Sequence, residues 1–191
     1  DHTGGNAAFP DGVTFYAHPT SIANLERSVV VPTEAVSDRR ILRVGGREAH
    51  IAFEGRGHTA GDLQVYVPDA RVLFMSEAYL YRVFPAMRSA YPSEWVGVLR
   101  RAEARTDVDV YVPGHGFIDS PDVLREELTT YREAVEAVIA ETRRLRGLGL
   151  SQEEALERAE WGELASWTLA DSQAPVALRR IWDELAGTLS R

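Results

Sequence analysis

The sequence contains neither cysteine nor lysine. Without cysteine, disulfides, iron–sulfur clusters, thiolate zinc sites and a cysteine nucleophile are excluded. Without lysine, Schiff-base chemistry and the lysine of a phosphate-binding P-loop are excluded too. All 21 basic residues are arginines, which reads as codon bias rather than function. No apolar run approaches the roughly 18 residues that a membrane-spanning helix needs. Positive charge is also in short supply. The 21 basic residues face 29 acidic ones, giving a net charge of −8. That is the wrong balance for non-specific binding to nucleic acid or to an anionic membrane, so neither is expected as a partner.

What remains is an ordinary globular composition. The 191 residues are 45% hydrophobic and 26% charged, enough for one domain with a sizeable core. Val13–Ala17 is β-rich and reads as a strand. Residues 20–31 read as a helix, capped by Thr20 or Ser21, with Ile22, Leu25 and Val29 on one face. Residues 41–44 and 48–53 predict two strands joined at Gly45-Gly46. Residues 63–67 and 71–75 predict a second hairpin, opened by Pro68-Asp69. Residues 77–92 form a long loop rich in aromatics and arginine. Ser93 is expected to cap a helix reaching about Arg105, and Val108–Val112 to form a short buried strand stopped by Pro113-Gly114. Pro121 opens a long helix that runs to about Arg146. Ser151-Gln152-Glu153-Glu154 is a capping box for a shorter one, and residues 175–189 predict the last. Strands thus give way to helices along the chain, an α/β layering with a helical C-terminal extension.

The chemistry sits on the histidines. A lone histidine is usually a surface or satisfied core residue, and His18 and His50 are read that way. His2, His58 and His115 differ, because each stands beside glycine at a predicted strand end or turn. There a side chain can point into a cleft and the backbone can approach closely. With thiolates absent, imidazole and carboxylate are the ligands that suit zinc. The chain starts Asp1-His2-Thr3-Gly4-Gly5-Asn6, without methionine. So ligand-rich a start is unusual for a natural terminus, and the protein is expected to continue upstream.

In order, Asp1-His2-Thr3-Gly4-Gly5-Asn6, Gly57-His58-Thr59-Ala60-Gly61-Asp62 and Pro113-Gly114-His115-Gly116 resemble three successive motifs of the metallo-β-lactamase superfamily. The resemblance implies that family's αββα sandwich, N-terminally incomplete in this sequence. Residues 1–120 would be the C-terminal portion of the domain, and residues 121–191 a helical extension packed on it. The family's first motif is H-x-H-x-D-H, and this sequence begins at its last two letters. By resemblance Asp1, His2 and His115 bind one metal, and His58 is the third histidine of another whose remaining histidines would lie upstream. A separate or further N-terminal segment would then complete the fold. Where the family places an aspartate that bridges the metals after Phe-x-Gly, this chain has Phe74-Met75-Ser76-Glu77. Glu77 is therefore the candidate bridging ligand, one methylene longer.

The cofactor implied is zinc, two ions per complete site, with iron or manganese as alternatives. The lack of cysteine leaves the Asp-His branch, found in glyoxalase II-like thioesterases, lactonases and some β-lactamases. The reaction implied is attack by metal-activated hydroxide on an ester, thioester or lactone carbonyl, with Asp1 orienting the hydroxide. Tyr79 or Tyr81 would assist the carbonyl oxygen, and Asp62 would support a ligating histidine. Arg56, Arg82 and Arg88 are candidate pocket residues for an anionic part of a small-molecule substrate. Two other readings stay open: a β-lactam hydrolase, and a non-hydrolytic member that binds ligands or holds a di-iron redox centre. A cytoplasmic location is the expectation, and the oligomeric state is left open.

Overall fold

The computed structural model describes residues 2–189. It opens with a two-residue strand β1 (Tyr16–Ala17), a helix α1 (Pro19–Asn24) and a strand β2 (Glu34–Ala35). Four strands follow: β3 (Arg39–Val44), β4 (Arg47–Phe53), β5 (Leu63–Val67) and β6 (Val72–Phe74). After them come α2 (Pro92–Glu103), β7 (Val110–Val112), α3 (Pro121–Gly147), α4 (Gln152–Arg158) and α5 (Ala170–Ala186). β1 and β2 pair in parallel as a small ribbon. The main sheet runs β3-β4-β5-β6-β7. It is antiparallel through β6, and β6 then pairs with β7 in parallel.

Local chemistry explains most of this sheet. Val44 pairs with Arg47, leaving Gly45 and Gly46 as a two-residue turn with φ of +59° and +80°. Two positive φ values in succession match the twist of a hairpin, and glycine adopts them without strain. The parallel step from β6 to β7 needs a crossover, and α2 supplies it.

Three helical readings and one strand reading need correction. α1 ends at Asn24 rather than at residue 31, and its N-cap is His18, whose ring accepts the Thr20 N–H at 3.3 Å. The β-branched run Val29-Val30-Val31 before Pro32 is poor helix material. The first β-strand is only Tyr16–Ala17. α2 starts on Pro92 at its favoured first position. Ser93 does not cap it, because the Ser93 main chain and hydroxyl donate to Glu184 instead. α5 begins at Ala170, five residues early, and carries Pro175 inside it. By contrast, the capping box at Ser151 is formed as read.

The two sheet faces differ. Tyr66, Leu73 and Tyr111 share one face and pack with α2, α3 and α5 into a single continuous core. The helices beyond residue 120 therefore share the core of the sheet. The other face presents Leu42, Ile51, Val65, Val72, Phe74 and Val112. The β1–β2 ribbon meets that face at Arg40, which pairs with Glu34 at 2.8 Å and lies 4.9 Å from the Tyr16 ring centroid, and Phe74 stays 45% exposed. The His18 ring reaches over its margin, resting on Phe53 with centroids 4.3 Å apart. No helix among the described residues is long and apolar enough to cross a membrane.

At the centre of the core Tyr131 lies against Tyr79, Trp95 and Trp167. Its hydroxyl is buried without a hydrogen-bond partner among the described residues. A buried unsatisfied hydroxyl costs about 1–3 kcal/mol. Tyr131→Phe should therefore leave unfolding free energy unchanged or raise it, read by urea denaturation. A clear loss of stability would show that the hydroxyl has a partner.

Candidate metal centre

The site is built where three chain segments end side by side. Each segment owes its approach to local backbone chemistry.

The first is the loop between β4 and β5. The Asp62 carboxylate accepts the Thr59 N–H at 2.8 Å and also the Thr59 hydroxyl, and Gly57 donates to the Thr59 carbonyl at 3.0 Å. The loop is thus tied to itself, with His58 at its tip. A Cβ on Gly57 would sit 3.1 Å from Trp95 Cδ1, so glycine lets the loop lie on the indole. The His58 ring meets that buried indole edge-on at 5.7 Å. Burial pushes the His58 pKa down, and the charges of Asp62 and Glu77 oppose the shift. The neutral imidazole that a metal requires is thereby favoured.

The second segment leaves β6. Met75 donates to the Val112 carbonyl at 2.9 Å, so β6 and β7 stay in register to their ends. The chain then turns sharply at Ser76, which takes a φ of +51°, and Glu77 projects from this turn. Ser76 stands where the resemblance expects glycine, and its left-handed backbone shows why glycine suits the position.

The third segment leaves β7. Gly114 donates to the Tyr79 carbonyl at 2.9 Å, and Tyr81 donates to the His115 carbonyl at 2.9 Å. A Cβ on Gly114 would fall 2.5 Å from the Ser76 carbonyl oxygen and 2.9 Å from Glu77 Oε1. No side chain fits there, and that is how His115 comes beside Glu77.

The side chains converge on one carboxylate. Glu77 Oε1 lies 2.7 Å from His2 Nε2 and 3.0 Å from His115 Nε2. The two imidazole nitrogens are 3.1 Å apart. Glu77 Oε2 faces the other way, 3.7 Å from His58 Nε2. A single carboxylate thus addresses two imidazoles with one oxygen and a third with the other. The donor set is three nitrogens and a carboxylate. Imidazole nitrogens and carboxylate oxygens grouped this closely make a donor set that suits zinc or another borderline divalent ion. His2, Glu77 and His115 have their ligand atoms within 4.8 Å of one another.

The remaining predicted residues fall into two groups. Near the cluster are Tyr81 and Arg88. Tyr81 is half-buried, with its ring edge-on to Phe117 at 6.0 Å. Burial and the charge of Glu127 raise its pKa. Arg88 is exposed, acts on His58 through its charge, and forms no ion pair among the described residues. Away from the cluster, Tyr79 is wholly buried and donates to the Leu124 carbonyl at 3.2 Å. Arg56 forks onto Glu94 and lies 4.1 Å from the Tyr91 ring centroid. Arg82 forks onto Glu127 at 2.7 and 2.5 Å and lies over Trp167. Asp62 ties the His58 loop and reaches His58 through its charge, while His58 Nδ1 is buried without a hydrogen bond among the described residues. His18 and His50 lie outside the cluster; His50 pairs with Glu48 at 3.0 Å. The ligand and catalytic roles expected of Asp1 lie outside the described residues.

Two aromatics that are not among the predicted site residues also border the cluster. Trp95 walls His58, and Tyr131 is close enough for the Glu77 charge to act on its hydroxyl. Residues so distant in sequence carry no local signal of that neighbourhood.

The family model described as the Metallo-beta-lactamase superfamily matches residues 1–115. A curated relative, the 2,4-dinitroanisole O-demethylase subunit alpha of Nocardioides sp. (strain JS1661), is 30% identical over 125 residues, 60% of this chain and 37% of the relative. A metallo-beta-lactamase from Pontibacter korlensis superposes with a TM-score of 0.58 at 21% identity, covering 68% of this chain and 62% of its own. The stereoselective inverting sec-alkylsulfatase Pisa1 from Pseudomonas sp. gives a TM-score of 0.64 at 17% identity, over 83% of this chain and 27% of its own. The chain thus spans less than two thirds of each of these proteins, and the two structures speak to its fold alone.

Gly114→Ala should displace the turn that carries Glu77. Zinc affinity is expected to fall about 10–100-fold, measured by competition with a chromophoric chelator. Gly147→Ala, with open space around it at the end of α3, should leave zinc affinity unchanged and add about 0.5–1 kcal/mol of stability. Equal zinc affinity in Gly114→Ala and the parent would contradict the packing of Gly114 against Ser76 and Glu77.

Proposed function

The chain belongs to the metallo-beta-lactamase superfamily, and from that premise we propose that it is a metal-dependent hydrolase of an ester, thioester or lactone carbonyl. The observation that carries this reading is the orientation of Glu77, whose two oxygens face histidines on opposite sides. His2 and His115 with Glu77 Oε1, joined by Asp1 as the motif implies, would hold one divalent ion. His58 with Glu77 Oε2 would contribute to the second. When bound, such ions supply Lewis acidity and bring the pKa of water down to about 7.

The chain's own groups prepare the rest. Burial pushes the His58 pKa down, which favours its neutral form, and its ring lies edge-on to Trp95. Tyr81 has its pKa raised, so it keeps its proton at neutral pH and serves as a hydrogen-bond donor to the substrate's carbonyl oxygen. The guanidinium of Arg88, with no ion pair among the described residues, gives the cleft a positive rim, which draws in substrates with a carboxylate or phosphate. The large core residues beneath the carboxylate exclude water from that side.

The 30% identical relative is named for O-demethylation of 2,4-dinitroanisole. It favours a second reading in which the bond hydrolysed is an activated aryl methyl ether, water and ether giving a phenol and methanol.

The test is a panel of p-nitrophenyl esters, a thioester, lactones, a chromogenic cephalosporin and 2,4-dinitroanisole. The expected result is turnover of a carbonyl substrate. His58→Ala, Glu77→Ala and His115→Ala should each lower metal content and turnover by at least about tenfold, while His18→Ala and His50→Ala change neither. Full activity in His115→Ala would overturn the metallohydrolase reading. Turnover confined to the cephalosporin or to dinitroanisole would overturn the carbonyl class proposed first.

A further inference from the structure

A cavity of about 610 Å³ lies on the helix-side face of the sheet, away from the metal centre. Arg39 pairs with Ala52, and Ala52 pairs with Gln64. The three therefore stand in one row across β3, β4 and β5. Neighbouring strands are about 4.8 Å apart, so Arg39 and Gln64 flank a gap of about 10 Å with only a methyl group between them. The next row, His50 and Tyr66, bounds the trough on one side, and Arg101 and Arg105 line it from α2.

Two features mark this trough as more than a packing fault. Gln64 is only 4% exposed and lines the trough, and its carboxamide, which is not sealed off from the trough, makes no hydrogen bond to another group among the described residues. A carboxamide lining a cavity offers an adjacent donor and acceptor to whatever enters. The second feature is charge. Arg105 is neutralised by a forked pair with Asp107 at 2.9 and 2.8 Å. Arg101 bonds to the Glu54 main-chain carbonyl rather than to a carboxylate, and Arg39 forms no ion pair among the described residues. Two guanidiniums thus face the single remaining carboxylate of Glu54. A local positive excess on a chain of net charge −8 attracts anions, and guanidinium forks suit carboxylates and phosphates.

We infer that this trough is a second binding site, for a small organic anion that also carries an amide-like donor–acceptor edge. The anionic group lies between Arg39 and Arg101, and the edge pairs with Gln64. A primary carboxamide or a purine ring presents such an edge, and a carboxylate or a phosphate monoester such a charge. The site contains none of the groups assigned to the metal centre. Arg101 grips the Glu54 main chain, where the His58 loop begins.

The test is calorimetric titration of the zinc-loaded chain with AMP, adenosine, inorganic phosphate and 4-carbamoylbenzoate. One saturable site is expected for AMP or for 4-carbamoylbenzoate, and the tighter of the two tells phosphate from carboxylate. Adenosine and inorganic phosphate, each carrying half of the recognition, should bind at least about tenfold more weakly. Arg39→Gln, on the exposed rim, and Gln64→Leu, close in volume, should each weaken binding at least about tenfold. His115→Ala should leave it unchanged, because the ligand does not sit on the metal. Binding that is lost in His115→Ala but kept in Arg39→Gln would overturn the site. So would the absence of saturable binding by both AMP and 4-carbamoylbenzoate.

Discussion

The close approach of Gly114 to the Ser76–Glu77 turn is the constraint on which the centre depends. Two parallel strands end together, and one has no side chain at the point of contact. That lets the carboxylate of one strand end lie 3.0 Å from the imidazole of the other. A turn with a positive φ at Ser76 then aims Glu77 back across the gap, toward His2 on one side and His58 on the other. A methyl group in place of the Gly114 hydrogen would separate these partners.

The rest of the fold holds that approach still. α2 carries the chain from β6 to β7 and delivers Trp95, whose indole N–H donates to the Ala78 carbonyl at 2.9 Å and pins the turn just after Glu77. α3 brings Tyr131 beneath the same place, and Arg82 forks onto Glu127 of that helix to fasten the loop beyond it. Ion pairs of this kind on a partly exposed loop contribute mainly to position, since exposed pairs add only about 0–1 kcal/mol. The burial of Trp95, Tyr131 and Leu99 contributes more to stability. Truncating a single large core side chain costs about 2–5 kcal/mol. The His2–Glu77–His115 cluster is therefore supported from behind by the core, while His2 and Arg88 are exposed.

What the sequence made legible was whatever local chemistry dictates. Gly45-Gly46 between alternating strands could hardly be anything but a hairpin turn. The capping box at Ser151 was readable from four residues. His58 and His115 stood out because glycines beside a strand end are costly unless the backbone must come close. The misread elements depend on tertiary partners. Ser93 has the chemistry of an N-cap, but Glu184 of a distant helix captures it. Tyr79 and Tyr81 are two residues apart in one loop. Packing against α3 buries the first and leaves the second beside His115. The trough around Gln64 left no trace in the sequence, because its row of Arg39, Ala52 and Gln64 exists only through strand pairing.

The most direct test of the Glu77-centred site is the zinc retained per chain after dialysis, measured by elemental analysis of the parent, Glu77→Ala and His18→Ala. Bound metal should be at least about one ion per chain in the parent and in His18→Ala, and should be lost in Glu77→Ala, because the carboxylate is the donor common to both sides of the site. Equal zinc in Glu77→Ala and the parent, or none in the parent, would contradict it.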